Sequence, residues 1–316
     1  MTAPDGLLLI DKPGGLTSHD VVARARRALA TKKVGHAGTL DPMATGLLVL
    51  GVGRATRLLT YIVGRDKVYE ATIRLGQSTI TDDAEGDLTG SAGAHDAALT
   101  GLDDALAALT GTIRQVPSAV SAVKVGGRRA YARVRAGEEV DLPAREVTVH
   151  RLDLLDRRAA TSQNGTPVVD LDVVVACSTG TYVRAIARDL GAALGTGGHL
   201  TSLRRTEVGP FDVADAVMLE SLASGAAAAG ASAACAPATG SEGARGRLMS
   251  LTAACRVLFR GVVLDEHSAR DLRHGRPIYP VPGTGVWAAF DAEGHVIGLV
   301  ENRGDRARAG IVLNPA

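Results

Sequence analysis

The sequence predicts an α+β fold, with strands and helices interspersed around a mixed or antiparallel sheet and a smaller β-rich unit at the C-terminal end. Three observations carry this. Lys67–Leu75 alternates, with Tyr69, Ala71, Ile73 and Leu75 on one side and Glu70, Thr72 and Arg74 on the other, as a half-buried strand requires. Val168–Cys177 reads as a buried strand; Ser178-Thr179-Gly180-Thr181 then caps a helix whose apolar positions are Val183, Ile186, Ala187, Leu190 and Leu194. Gly126-Gly127, between Val120–Val125 and a basic segment, predicts a hairpin or a tight strand-to-helix turn. Hairpins mixed with single helices argue against a doubly wound parallel sheet.

The remaining elements follow in order. Leu7–Ile10 is a short buried strand. Thr17 and Ser18 offer an N-cap, Asp20 suits the positive first turn, and Val21, Ala25 and Leu29 recur at helical spacing, leaving Arg24, Arg26 and Arg27 outside. Lys33 to Thr45 has no periodicity and reads as a Gly-rich loop. An apolar strand, Leu47–Val52, and a helix near Ala55–Ile62 come next. An acidic loop (Asp82, Asp83, Glu85, Asp87) precedes a helix at about Leu102–Leu109. Residues 224–246 are nearly all Ala, Gly and Ser, the composition of a flexible connection. Beyond them a helix signal at Ser268–His274, a Gly275-Arg276-Pro277 turn and several short strands predict a small β-rich appendage. The expected division is a main domain over residues 1–258 and a C-terminal domain over 259–316.

Composition narrows the function. A chain of 316 residues, 46% of them hydrophobic, has enough apolar material for a proper core without staples. Cys177, Cys235 and Cys255 form no CxxC pair, so neither a zinc site nor a disulfide framework is predicted, and a reducing compartment fits. No signal-peptide pattern and no run of ~20 apolar residues is present, so a soluble, cytoplasmic protein is expected. The net charge of +1 hides two basic clusters. Residues 11–40 carry Lys12, Arg24, Arg26, Arg27, Lys32 and Lys33 against two acids; residues 124–135 carry Lys124, Arg128, Arg129, Arg133 and Arg135 against none. Such patches serve a phosphate-binding face or are merely solvated helix faces.

The loop Gly35-His36-Ala37-Gly38-Thr39-Leu40-Asp41-Pro42-Met43-Ala44-Thr45-Gly46 is the most informative segment. Its glycines allow tight folding and close approach to a ligand, and Pro42 restricts Asp41 to extended geometry, which fixes the carboxylate's direction. An ordinary Asp-Pro turn is the bland alternative. Arg184 falls in the first turn of its helix, where a cation opposes the helix dipole. That placement makes sense opposite an anion, either a carboxylate such as Asp41 or a substrate phosphate. Tyr69 is a core tyrosine or, at a strand end, a ring that stacks on a nucleobase. His36 has no second histidine at ligand spacing, which disfavours a metal role. No GxGxxG follows a strand and no Walker loop is present, so no cofactor is predicted.

These motifs resemble the tRNA pseudouridine-55 synthases of the bacterial TruB type. The likeness begins at Gly6-Leu7-Leu8-Leu9-Ile10-Asp11-Lys12-Pro13 and runs through Gly35–Pro42 and Lys67-Val68-Tyr69. It resumes at Ser178-Thr179-Gly180-Thr181-Tyr182-Val183-Arg184 and Leu203-Arg204-Arg205, in the family's order. The resemblance implies a pseudouridine-synthase-type sheet with flanking helices and a C-terminal RNA-binding domain of the PUA type. It makes Asp41 the catalytic aspartate and Arg184 its salt-bridge partner. Tyr69 would stack on the target base, Tyr182 and Leu203 would line the pocket, and His36 would contact the RNA loop. Lys12-Pro13 would shape the pocket floor. Lys12, Arg24, Arg27, Lys33, Arg128, Arg129, Arg204 and Arg205 are the candidates for RNA-backbone contacts.

The implied partner is the T arm of tRNA, met by a monomer without guide RNA, obligate protein partner, membrane or cofactor. Asp41 could attack C6 of the base, attack C1′ of the ribose, or assist elimination to a glycal. Two rivals stand beside this: a non-catalytic RNA-binding or RNA-folding protein, and a guide-dependent relative acting on ribosomal RNA. Two expectations follow for variants. Asp41→Asn should abolish turnover and leave a buried Arg184 without its counter-charge. Removal of residues 259–316 should weaken RNA binding and spare the chemical step.

Overall fold

The computed structural model describes residues 5–95, 99–118, 124–125, 128–129, 142–224 and 240–316. Along the main part of the chain come β1 (Gly6–Lys12), α1 (Ser18–Ala28), β2 (Val34–Ala37), β3 (Thr45–Val52), α2 (Leu59–Val63) and β4 (Lys67–Leu75). After them follow α3 (Leu102–Ala108), β5 (Gly111–Gln115), β6 (Arg145–Thr161), β7 (Pro167–Cys177), α4 (Val183–Ala193) and β8 (Gly198–Val208). The strands form a ten-stranded sheet among the described residues, in the order β1-β3-β8-β4-β7-β6-β5. The two-residue strand Val217–Met218 lies beside β1, β2 pairs with β3, and Phe211–Asp212 pairs with β8. β3 runs parallel to β8 and Val217–Met218 parallel to β1; the other pairs are antiparallel. The α+β expectation is met.

Burial explains the strand patterns. In β1 and β3, Leu8, Ile10, Leu48 and Leu50 pack with Val21, Ala25 and Leu29 of α1. Leu7, Leu9, Leu47 and Val49 pack on the opposite face. Strands covered on both sides need continuous apolar runs. β4 alternates because only one of its faces is covered, and Glu70 points to solvent. α1 starts with a capping box: the Thr17 hydroxyl accepts from the Asp20 N–H at 3.1 Å, and the Asp20 carboxylate accepts from the Thr17 N–H at 2.9 Å.

Several local expectations change. β2 lies inside the supposed loop of residues 33–45; it is held by backbone pairing to β3, which needs no side-chain period. The predicted helix at residues 55–62 divides into a 3₁₀ turn, Gly53–Leu58, and α2. Ser178–Thr181 does not cap α4. Its N-cap is Tyr182, and the Gln115 side-chain amide serves that residue instead, accepting from its N–H at 2.8 Å and donating to its carbonyl at 3.1 Å. Lys124–Val125 pairs antiparallel with Arg128–Arg129; the Gly126-Gly127 turn expected between them lies outside the described residues. Of the presumed flexible connection, residues 225–239 lie outside the described ones, and its end folds as a helix, Gly240–Arg245, with Ala244 in the core.

The C-terminal part begins with α5 (Leu251–Leu258), capped by the Ser250 hydroxyl. β9 (Arg260–Val263), α6 (Glu266–Arg273), β10 (Val286–Phe290), β11 (Val296–Arg303) and β12 (Arg306–Val312) follow, the strands forming a separate four-stranded sheet in chain order. α6 starts two residues before the predicted helix because Asp265 caps it. Leu272, Ile297 and Val300 close a small core on one side of this sheet. Phe290, Leu299 and Leu313 face the other way and join Leu7, Leu9, Leu47 and Val49 in one apolar cluster. Three arginines tie the seam: Arg54 donates to the Leu313 carbonyl at 2.8 Å, Arg57 to Val312 at 2.8 Å and Arg65 to Leu258 at 2.9 Å.

Candidate active site

A cavity of about 260 Å³ opens where β4 and β8, the loop after β2 and the N-terminus of α4 converge. Asp41, Tyr69, Tyr182, Arg184 and Leu203 line it, together with Lys67, Arg205 and residues 178–181. Five residues expected to form the site, from four separate stretches of sequence, thus meet at one place.

Asp41 is held from both sides in the chain. The N–H and carbonyl of Leu40 both bond the Ser18 hydroxyl, at 2.9 and 3.1 Å, so the first residue of α1 anchors the loop. On the other side the Pro42 carbonyl accepts from the Gly15 N–H at 2.8 Å and from the Lys12 ammonium at 3.2 Å. The Asp41 side chain is 38% exposed and opens onto the cavity it lines. Its Oδ2 lies 3.1 Å from Arg184 Nε. Burial raises the Asp41 pKa above the ordinary carboxylate value; Arg184 and Lys12 oppose the rise and Asp83 adds to it.

Arg184 occupies the first turn of α4 with its side chain only 6% exposed. The unfavourable dipole is offset by two carboxylates: Asp41 on Nε, and Asp83 on Nη1 at 3.1 Å. Nη1 also donates to the Thr81 carbonyl at 2.9 Å. Asp83, 3% exposed, accepts further from the Thr81 hydroxyl at 2.5 Å and the Glu85 N–H at 3.0 Å. One turn along α4, Arg188 reaches Asp82 at 3.2 Å. Asp83 is therefore a site residue that sequence reasoning left in a generic acidic loop. The available signal was the match between adjacent acids, Asp82 and Asp83, and arginines four apart on one helix face.

Tyr69 is buried, which pushes its phenol above the usual range, while the charge of the Arg205 guanidinium opposes that rise. Lys67 sits beside it, its ammonium bonded to the carbonyls of Val63 and Arg65 and its pKa brought down to about 8 by burial.

The RNA-backbone candidates separate. Arg24, Arg27 and Lys33 are exposed. Lys12 is fully buried, and its ammonium donates to the carbonyls of Pro13, Leu16 and Pro42; all three donors are used, so it is a structural pin rather than a phosphate contact. Arg205 is also buried, inside the cavity wall. Arg204 forms a two-pronged ion pair with Asp11, at 3.0 and 2.7 Å, which already answers its charge. The side chains of Arg128 and Arg129 lie outside the described residues. His36 is on β2, away from the cavity lining, with its ring edge-on to His19 at 5.6 Å. Among the described residues no group of three His, Cys, Asp or Glu could hold a metal ion, and no helix is long and apolar enough to cross a membrane.

Comparison with known proteins agrees with this geometry. Residues 26–183 match the model of the TruB family pseudouridylate synthase N-terminal domain. Residues 184–234 match that of the tRNA pseudouridylate synthase B C-terminal domain, and 259–314 that of tRNA pseudouridine synthase II, C terminal. The chain is 51% identical over 311 residues to tRNA pseudouridine synthase B of Nocardia farcinica, covering 98% of this chain and 94% of that one. With the protein of the same name from Leifsonia xyli it shares 53% over 312 residues, 96% and 94% of the two chains. In fold it is similar to a chain in the crystal structure of a Cbf5-Nop10-Gar1 complex, with a TM-score of 0.68 at 22% identity over 98% of this chain and 85% of that one. With a cavity built around a carboxylate paired to a helix-borne arginine, and half-identical relatives matched over nearly their full length, the chain belongs to the TruB family of pseudouridylate synthases.

Proposed function

We propose that this chain isomerises the T-loop uridine of tRNA, position 55, to pseudouridine, with Asp41 as its essential carboxylate. The observation that supports this best is the pairing of Asp41 with buried Arg184 at a cavity that Tyr69, Tyr182 and Leu203 also line. The reaction breaks the bond from uracil N1 to C1′, turns the base and joins C5 to C1′. The proton lost from C5 balances the one gained at N1, so no oxidant, reductant or group donor is consumed. Asp41 supplies the carboxylate at the reacting centre, by attack on C6 or C1′ or by assisting elimination. Tyr69 offers a ring and Leu203 an apolar contact to a flat base. A stacked uridine reaches such a cavity only by flipping out, at a cost of a few kcal/mol.

Phosphate contacts from Arg24, Arg27 and Lys33 would offset that cost. α1 suits the purpose, because its first residue, Ser18, is bonded to Leu40 beside Asp41 and the helix leads outward from there. His36 contacts the RNA loop from β2. In this reading residues 1–258 form the catalytic domain, and residues 259–316 form an RNA-binding domain of the PUA type. The protein acts as a monomer without guide RNA. The test is pseudouridine mapping in a bare tRNA transcript treated with the purified chain. Modification at position 55 alone is expected. Activity that requires an added guide RNA or protein, or that appears at another position, would overturn the reading.

A further inference from the structure

We infer that Arg205 is a positioning residue for this reaction: it clamps both ends of the loop that carries Asp41 and sets the Tyr69 ring against the same cavity. The inference rests on the reading of Asp41 as the reacting carboxylate. Arg205 is 1% exposed, and among the described residues no carboxylate pairs with it. A guanidinium buried without a counter-charge is costly and must be held by well-formed hydrogen bonds.

Its hydrogen bonds go to the strand that follows the Asp41 loop and to the start of the loop itself. Nε donates to the Leu47 carbonyl at 2.8 Å and Nη2 to the Gly38 carbonyl at 3.1 Å. Arg205 is the register partner of Tyr69 between β8 and β4, both line the cavity, and the guanidinium's charge opposes the rise in the Tyr69 pKa. Its backbone is the register partner of Gly46 between β8 and β3. Gly38 and Gly46 bracket Asp41, and both meet Arg205. Gly46 has φ +96°, and a Cβ there would fall 2.2 Å from the Arg205 carbonyl oxygen. Gly38 has φ +85°, and a Cβ there would stand 3.4 Å from Arg205 Nη1. One side chain therefore spans the loop entrance and the Tyr69 platform, while its backbone holds the loop exit. Lysine cannot replace this fork, because a point charge on a flexible stem does not serve two carbonyls in fixed directions.

The test uses Arg205→Lys and Arg205→Gln in the full chain. Each is followed by thermal melting, affinity for the bare tRNA transcript and the single-turnover rate at saturating RNA. A misplacement of about 1 Å in the reacting groups costs on the order of 100-fold in rate, so that loss is expected in both variants with affinity unchanged. The loss caused by Arg205→Lys should also shrink in a Tyr69→Phe background, where the hydroxyl is already gone; purely structural effects would multiply instead. If neither Arg205 variant folds, Gly38→Ala strains the loop entrance, whose φ is +85° and whose carbonyl Arg205 Nη2 holds, and should slow the same step. An unchanged rate there overturns the clamp. So does a folded Arg205→Lys protein that matches wild type, or one that loses affinity alone. A wild-type protein inactive on the transcript would instead overturn the proposed function, whatever Arg205 does.

Discussion

Replacing Asp41 and Asp83 separately by Asn should divide catalysis from stability. Arg184 is buried and holds both carboxylates at 3.1 Å, one on each of two nitrogens. Asp83 is out of water, with its second oxygen taken by the Thr81 hydroxyl and the Glu85 N–H. Removing one partner of a buried pair costs ~3–5 kcal/mol; Arg184 keeps Asp41, which places Asp83→Asn at the low end, about 3 kcal/mol. At ~2–4 °C per kcal/mol for a long chain, Tm should fall by roughly 6–12 °C. The Asp41 side chain is 38% exposed, so its pairing is screened by solvent and contributes at most about 1 kcal/mol. Asp41→Asn should then shift Tm by no more than ~4 °C. Its turnover should nonetheless vanish, because loss of the carboxylate can exceed ~5 kcal/mol, 10⁴-fold in rate. The expectation that this substitution strands Arg184 is revised, since Asp83 still answers the charge. Calorimetric melting and single-turnover assays on both variants decide the matter. An Asp41→Asn protein that melts as low as Asp83→Asn, or that turns over near the wild-type rate, refutes the division of labour.

Three further outcomes are expected. Asp41 must be ionised to react and its pKa is raised, so the acid limb of the single-turnover rate should lie above the ordinary value of 3.8 and move down in Asp83→Asn, which removes a neighbouring negative charge. The same shift means the folded state binds more protons than the unfolded one, so relative to Asp41→Asn the wild type should lose stability as pH rises through that window; pH-dependent melts showing the opposite slope would contradict it. Lys12→Met strips the donor from the Pro13 and Leu16 carbonyls, while the Pro42 carbonyl keeps the Gly15 N–H. A destabilisation of roughly 2–4 kcal/mol should appear in urea melts, and an unmoved midpoint would show the pin to be dispensable. Deleting residues 259–316 removes Phe290, Leu299 and Leu313 from the apolar cluster they share with the main part of the chain, and with them the carbonyls that Arg54 and Arg57 hold. Each large apolar side chain left uncovered forfeits roughly 1.5–3 kcal/mol, against a whole-domain stability of only ~5–15 kcal/mol. Contrary to the expectation of a spared chemical step, the truncated chain should bind an apolar dye and melt early; a truncated protein with native melting and rate would show that the seam is not structural.

Elements whose burial is periodic or a continuous apolar run are legible in the sequence. β4 declares itself because one face is covered and the other is wet, and α4 because its apolar stripe faces the sheet. β2 has no such pattern: its four residues are held by backbone pairing to β3, so nothing in its side chains announces a strand. Asp83 was missed for a different reason, its one signal being the match of Asp82 and Asp83 to arginines four apart on α4. Its partner lies 101 positions away, and an acid in a polar loop looks the same whether it faces water or a buried arginine.

Arg205 differs from Asp83, because its fate follows from strand geometry. Side chains two apart on a strand share a face. On β1 both faces are covered, by Leu8 and Ile10 on one and by Leu7 and Leu9 on the other, so parity gives Lys12 its face but does not by itself separate it from Asp11. Leu203 lines the cavity, so Arg205 shares that wall, and Arg204 between them must turn away, where it meets Asp11. Reading basic residues by composition alone groups all three as phosphate contacts. Reading β8 by parity separates Arg205, buried in the cavity wall, from Arg204, paired on the opposite face. Among the described residues, Arg24 and Arg27 on α1 and Lys33 beyond it remain exposed to meet a phosphate backbone.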